Sequence, residues 1–417
     1  MNAEIISIGD ELLIGQTINT NAAWLGEHLN LAGIRVQRTT TIGDSEQEIF
    51  QSLDESSSRV SLVLITGGLG PTKDDITKHT LCKYFDTKLE INEEALQRIT
   101  GFFESRGLPM LQVNRDQAML PASCTIIQNK RGTACGMWFQ KGEVIYISMP
   151  GVPYEMTAMM EDEILPRLKA HFVQTDILHH TILIMGIGES FLAKKIEAWE
   201  EGLESDGIKL AYLPSPGMVK LRMSLYHMPD RPLAEQLFER RKAELYALVG
   251  EYIYGEGKET IQEIVGAMLR NEGATLCTAE SCTGGYISHL ITQVPGSSAY
   301  FKGSIVSYAE EIKISMLKLH SDTIEKYGLV SREVAEAMVV GVREEMATTW
   351  AIATTGIAGP DGGTEQNPVG TVWIAVAGPK GVVSEKFSLG RNRERTIHIA
   401  SNYALNMLRK EILKTKA

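Results

Sequence analysis

The sequence predicts a multidomain α/β protein in which two large three-layer α/β domains are joined by a small α/β module. Three observations carry that expectation. The chain is 417 residues long, beyond the size at which one hydrophobic core keeps growing. Residues 1–168 and 256–417 each alternate strand-length apolar runs with amphipathic stretches, the pattern of βα repeats. Glycines and acidic residues recur where the apolar runs stop, and in parallel sheets ligands lie beyond the carboxyl ends of the strands.

In the first domain, Ile5 to Ile8 reads as a strand leading to a helix over Asn19 to Leu31. Arg35 to Thr41 then leads to a helix over Ser45 to Ser56, and Val60 to Thr66 to one over Asp74 to Tyr84. The series implies a mostly parallel sheet. Its strand ends carry Gly9-Asp10-Glu11, Gly43-Asp44 and the run Gly67-Gly68-Leu69-Gly70-Pro71-Thr72-Lys73-Asp74-Asp75, so three polar loops are expected to converge on one crevice. Tyr146 to Ser148 predicts another strand, and Met149-Pro150-Gly151-Val152-Pro153 a rigid turn before a helix over Tyr154 to Leu165.

The middle module, 171–250, has a strand at Thr181 to Met185, a helix after Glu189, two strands flanking Pro214-Ser215-Pro216-Gly217, and a helix after Pro232. The last domain opens with Ile261, Ile264, Val265, Met268 and Leu269 on one helical face. Strands are expected at Thr275 to Thr278, Gly303 to Tyr308, Trp350 to Thr355, Val369 to Ala377 and Val382 to Phe387. Helices are expected at Tyr286 to Gln293, Arg332 to Met346 and Arg393 to Ile412.

Acidic residues number 52 against 41 basic ones, for a formal charge of -11. That balance disfavours direct nucleic-acid binding and attachment to an anionic membrane, while a local cleft for a phosphorylated metabolite stays open. Apolar runs are strand length, so no membrane span is expected. The first residues read as a core strand and not as a secretion leader. Five cysteines, Cys82, Cys124, Cys135, Cys277 and Cys282, form no CxxC pair, which points to free thiols in a reducing cytoplasm.

Thr278-Ala279-Glu280-Ser281-Cys282-Thr283-Gly284-Gly285 sets a hydroxyl between a strand and a helix. Two roles suit it there: a nucleophile beside helix-start amides that would stabilise an oxyanion, or a helix cap. Further along come Val294-Pro295-Gly296-Ser297-Ser298, Ser307-Tyr308, Lys313, the glycine-rich run Thr355 to Gly363, Pro368-Val369-Gly370-Thr371 and Arg391 to Arg395. Together these resemble the C-terminal domain of the competence/damage-inducible protein A family, which includes nicotinamide-nucleotide amidases.

That resemblance implies hydrolysis of the carboxamide of nicotinamide mononucleotide, giving nicotinate mononucleotide and ammonia without a cofactor. Ser281 is then the expected nucleophile, activated by Lys313, with Tyr308 passing or orienting the proton. His289 and His320 look like helix or connector residues. Glu310 stands where many relatives have asparagine, and a carboxylate there favours the charged form of Lys313. Thr283, Gly284, Gly285, Gly359, Asp361, Gly362 and Gly363 are expected to approach the substrate. Arg391 and Arg395, four apart, are expected to share a helical face as phosphate ligands, with Arg393 facing elsewhere.

Gly9-Asp10-Glu11-Leu12-Leu13, the loop from Thr66 to Asp75, and Met149 to Met156 resemble the molybdopterin-binding-like N-terminal domain of the same family. The resemblance implies hydrolysis of ADP-ribose to AMP and ribose 5-phosphate with a divalent ion (Mg, Mn or Co). Asp10, Asp44, Asp74 and Asp75 are the expected metal ligands. Asp44 and Asp74 would lie nearest the reacting phosphates, while Gly67, Gly68 and Gly70 cradle them. Alternatives are pterin or nucleotide binding without hydrolysis, and a nonenzymatic adaptor in DNA uptake or damage response. A homodimer is also implied.

Overall fold

The computed structural model describes residues 2–72, 74–171, 177–226 and 230–416, so Lys73 of the glycine-rich loop lies outside the described residues. The chain forms two compact units, Met1–Ile177 with Tyr226–Arg231, and Leu178–Leu225 with Pro232–Ala417. In the first unit the strands are β1 (Asn2–Ile8), β2 (Arg35–Ile42), β3 (Leu62–Thr66), β4 (Leu89–Ile91), β5 (Met119–Pro121), β6 (Thr125–Ile127), β7 (Gly136–Lys141) and β8 (Val144–Met149). The main sheet runs β2-β1-β3-β8-β7-β6. Its first four strands are parallel, and β7 and β6 add an antiparallel edge.

Alternation along β1 explains the three layers. Ala3 and Ile5 face the core under helices Thr20–Leu31 and Pro153–Met159, while Ile6 and Ile8 pack with Ile49, Leu53 and Leu81 from the helices on the other face. The sheet passes from β2 through β1 to β3, so the crossover after β1 lies on one side and that before β3 on the other. A crevice forms at such a switch point. It lies outside the carboxyl ends of β1, β2, β3 and β8.

The second unit begins with a four-stranded sheet ordered β10-β11-β9-β12, formed by β9 (Ile177–Met185), β10 (Lys209–Ser215), β11 (Met218–Tyr226) and β12 (Ile253–Glu256). Leu192, Ile196, Trp199 and Leu203 from helix Glu189–Ser205, with Phe238 and Leu245 from helix Arg231–Val249, are buried. Leu183, Met185 and Tyr254 share one core with the following domain, so this module is packed onto it as well as preceding it.

That domain has a five-stranded sheet ordered β14-β13-β15-β16-β17, from β13 (Leu276–Glu280), β14 (Phe301–Val306), β15 (Trp350–Gly356), β16 (Thr371–Gly378) and β17 (Gly381–Ser388). β14, β13 and β15 are parallel, and β16 and β17 antiparallel. One sheet face carries Leu276, Trp350, Ile352, Ile374 and Val376 toward helices Ile261–Glu272 and Arg393–Lys416. The other carries Cys277, Ala279, Ala351, Ala353, Ala375 and Ala377 toward helix Arg332–Met346. The small residues allow that helix to approach closely. No helix among the described residues is long and apolar enough to cross a membrane.

Candidate active sites

Ser281 follows directly on the carboxyl end of β13 and is 8% exposed. Its amide donates to the Thr354 carbonyl at 3.0 Å, which ties the turn to β15. Gly284 and Gly285 take φ of 62° and 96°, left-handed backbone that lets the chain reverse into helix Tyr286–Thr292. The expected role for unpaired helix-start amides needs correction here. Glu280, fully buried at the strand end, accepts from the amides of Gly285 and Ile287 (3.0 Å each) and Ser288 (2.9 Å), and from the hydroxyls of Thr283 (2.8 Å) and Ser288 (2.6 Å). A buried carboxylate must be solvated by donors, and these amides serve it.

β14 ends at Val306, two residues earlier than the sequence suggests, leaving Ser307 and Tyr308 in a loop ahead of helix Glu310–Leu317. This difference matters chemically. Lys313, 2% exposed, donates through Nζ to the Ser307 carbonyl at 2.5 Å, the Tyr308 carbonyl at 3.2 Å and Ser281 Oγ at 3.1 Å. Burial holds its ammonium below the ordinary lysine range, against the opposing charge of Glu310. Cys282 is also close by, but burial pushes its thiol up to about 12, so it is uncharged at neutral pH.

Tyr308 contributes its carbonyl rather than its phenol. The side chain is 61% exposed, and its hydroxyl meets Arg393 Nη2 at 3.1 Å. Arg393 also donates to the Gly359 carbonyl at 2.9 Å, joining the glycine-rich loop to the Lys313 loop. The last helix begins at Arg393, so Arg391 precedes it and does not share a helical face with Arg395. Arg393, expected to face elsewhere, engages the loop. The Thr283 hydroxyl is enclosed between Glu280 and Thr354, at 2.8 Å from each, so only its backbone remains to meet a ligand. Asp361, Gly362 and Gly363 lie exposed in the loop after β15.

In the first unit a crevice of about 520 Å³ is lined by Asp10, Glu11, Asp44, Asp74, Asp75 and the loop from Gly67 to Thr72. Asp10 and Asp44 face one another: each backbone amide donates to the other's carboxylate, at 3.2 and 3.4 Å. Burial lifts the Asp44 carboxyl above its ordinary value, and the charges of Asp10, Glu11 and Asp75 add to that. At Gly67, φ is 114°, and a Cβ would press on the Ile8 carbonyl oxygen. The helix expected from Asp74 starts at Thr77. Asp75 instead closes the loop by accepting from the amide and hydroxyl of Thr72, at 2.9 and 2.5 Å.

The acidic rim offers hard oxygen donors of the kind a divalent ion takes. Among the described residues, however, no three His, Cys, Asp or Glu are gathered closely enough to hold a metal ion. Gln117 and Glu155 also line the crevice, and the sequence pattern singled out neither. Glu155, which the Asn129 amide reaches at 2.5 Å, stands in the Pro153–Met159 helix as a buried carboxylate. An acid at a position that the helical pattern places inside is the signal that was available.

Family profiles match all three segments: a probable molybdopterin binding domain over residues 4–170, the damage-inducible protein CinA KH domain over 179–255, and the CinA C-terminal domain over 258–412. A CinA-like protein from Flavobacterium psychrophilum is 48% identical over 416 residues, covering 99% of each chain. One from Cytophaga hutchinsonii is 42% identical over 414 residues, again with 99% of each chain covered. Among solved structures, a competence/damage inducible protein from Agrobacterium tumefaciens is 34% identical over 36% of this chain and 92% of its own, with a TM-score of 0.36.

Proposed function

The chain belongs to the CinA family, with an N-terminal molybdopterin-binding-like domain and a C-terminal CinA domain, and from that premise we propose that it is a bifunctional hydrolase of pyridine-nucleotide recycling. The C-terminal site deamidates nicotinamide mononucleotide to nicotinate mononucleotide and ammonia. One observation carries this: the buried Lys313 Nζ lies 3.1 Å from Ser281 Oγ with two backbone carbonyls on its other sides.

A neutral amine has two N–H donors and one lone pair. With both donors held by the Ser307 and Tyr308 carbonyls, the lone pair is directed at the serine hydroxyl. Ser281 Oγ then bonds to the carboxamide carbon as its proton passes to Nζ. The amides of Cys282 and Thr283, on the same turn, receive the oxyanion. The tetrahedral intermediate collapses, its C–N bond breaks, and the proton on Lys313 goes to the departing nitrogen, giving ammonia. Water, deprotonated by the same amine, attacks the acyl carbon; breakage of the bond to Oγ restores the serine and releases nicotinate mononucleotide. Arg391 and Arg395 supply positive charge for the substrate phosphate.

The N-terminal crevice hydrolyses ADP-ribose to AMP and ribose 5-phosphate. A divalent ion (Mg, Mn or Co) that neutralises pyrophosphate charge would be held by Asp10 and Asp44, which face one another, with Asp74 and Asp75 drawn in from the loop lining the same crevice, since the described residues do not already gather three of these acids around one point. Gly67, Gly68 and Gly70 keep the loop backbone open to the phosphates, and water replaces the bridging oxygen at one phosphorus. The Asp44 carboxyl is raised mainly by burial and further by the charges of Asp10, Glu11 and Asp75, and a cation bound there would offset both. Product analysis after separate incubations with nicotinamide mononucleotide and with ADP-ribose plus metal tests both halves. Tight pterin binding without AMP release would replace the second half with a binding role.

A further inference from the structure

Pro216 and Gly217 form the turn that joins β10 to β11, with Ser215 paired to Met218 at the tip of the middle module's hairpin. Gly217 takes φ of 77°, and a Cβ there would stand 3.0 Å from Ile399 Cγ2 and 3.1 Å from Tyr403 Cε1. The hairpin backbone thus lies directly on helix Arg393–Lys416 of the C-terminal domain, at a distance that glycine permits. Met218, next in the chain, packs against the same core as Tyr403 and Phe387, and the Tyr254 hydroxyl donates to its sulfur at 3.5 Å. Ile399 is buried, and the Tyr403 ring is held edge-on by Phe387 at 5.2 Å between centroids, so neither side chain has free space to retreat into.

The same helix carries charge to the C-terminal site. Arg395, Ile399 and Tyr403 are four apart and share one face, which puts the hairpin one turn from Arg395. Arg393, in the first turn, donates to the Gly359 carbonyl at 2.9 Å and to the Tyr308 hydroxyl at 3.1 Å. His398, beside Ile399 in the chain, lies flat on Tyr286, with ring centroids 4.6 Å apart and planes 5° apart. Tyr286 directly follows Gly285, the end of the turn that holds Ser281. The start of the helix therefore meets the glycine-rich loop, the Lys313 loop and the nucleophile turn, and the hairpin bears on the next turn along. In a close-packed interior, a shift at Ile399 is carried to its neighbours on the helix.

We propose that the β10–β11 hairpin is a positioning element of the amidase site. Seated on Ile399 and Tyr403, it fixes the start of helix Arg393–Lys416, which sets Arg395 for the substrate phosphate and Arg393 for the glycine-rich loop. Gly217 is the residue on which the seating depends. The middle module then tunes substrate affinity without touching substrate. The inference rests on the amidase role given to Ser281 and Lys313.

The test is ammonia release from nicotinamide mononucleotide by the full chain, as wild type, Gly217→Ala and Gly207→Ala. Gly207, in the same module, has φ of 72°, and its Cβ would meet Leu225 Cδ1 at an ordinary 3.7 Å, so Gly207→Ala carries the left-handed strain without the collision. Thermal melts check that both variants are folded. Gly217→Ala is expected to raise KM roughly 3- to 10-fold, the range for loosening one polar contact to the phosphate, with kcat little changed, while Gly207→Ala matches the wild type. Equal KM in all three proteins overturns the inference, as does the same rise in both variants or a fall in kcat alone. The His398 ring-proton resonances, identified by their loss in His398→Gln, give a readout that needs no turnover: they should move in Gly217→Ala and stay in place in Gly207→Ala. If they respond in this way but the wild type releases no ammonia, the amidase role fails and the hairpin's hold on the helix stands. If ammonia is released normally and neither KM nor these resonances respond to Gly217→Ala, the hairpin inference alone fails.

Discussion

Replacing Lys313 with methionine keeps the length and apolar stem of the side chain and removes the only group among the described residues that is hydrogen-bonded to Ser281 Oγ through a nitrogen able to take its proton. General-base catalysis is worth about 10²- to 10⁴-fold, or roughly 3–5 kcal/mol of barrier. Ammonia release from nicotinamide mononucleotide should therefore fall by about that factor at saturating substrate, with a smaller change in KM. Because Ser281 and Lys313 act as one unit, Ser281→Ala combined with Lys313→Met should be scarcely slower than either alone. The pH profile provides an independent check. In the folded protein, burial lowers the Lys313 pKa from its ordinary 10.5, so the neutral fraction and the rate rise with pH and level off above the lowered value. Stability follows the same sign. Between the lowered folded pKa and 10.5 the unfolded chain binds more protons, so stability rises with pH through that window, and below it the buried ammonium disfavours folding. A folded Lys313→Met enzyme that keeps its rate within a few-fold, with the alkaline rise intact, would refute the assignment of the base.

Asp44→Asn should depress metal-dependent ADP-ribose cleavage by 10-fold or more while sparing the amidase, as read by AMP formation and ammonia release on one preparation. Asp74→Asn should act in the same direction, and undiminished cleavage would remove Asp74 from the site. Arg393→Ala frees both the Gly359 carbonyl and the Tyr308 hydroxyl, so KM for nicotinamide mononucleotide should rise several-fold with a smaller change in kcat. Glu280→Gln should destabilise the protein by about 1–3 kcal/mol, because one carboxylate oxygen is replaced by a donor facing the donors it now serves. A shift in the denaturant midpoint measures it.

The three-layer fold was legible because the strands at Ile5, Arg35 and Val60 in one domain, and at Trp350 and Val382 in the other, are long enough to show their period. Residues 85–145 were not parsed: β4, β5 and β6 are three residues each, too short for alternation to register, although helix Glu93–Glu104 and the six-residue β7 carried a readable period that was passed over. Gln117, which lines the acidic crevice, sits in that stretch. In the C-terminal site, Ser281 and Lys313 were marked by their motifs, but their partners were not. Lysine is held by main-chain carbonyls of Ser307 and Tyr308, and a carbonyl is present at every residue, so side-chain identity carries no trace of it. Arg393 was misplaced because Arg391 and Arg395 were paired as one helical face although the helix, as the sequence also placed it, starts only at Arg393.

The central claim is covalent attack by Ser281 on the carboxamide, and ammonia release from nicotinamide mononucleotide by folded Ser281→Ala tests it most directly. Release should be abolished while the melting transition moves only as loss of a small buried hydroxyl requires, by about 0.5–2 kcal/mol, and while ADP-ribose cleavage continues. Near-normal ammonia release from the same folded protein would contradict the claim and leave Lys313 activating water without a covalent intermediate.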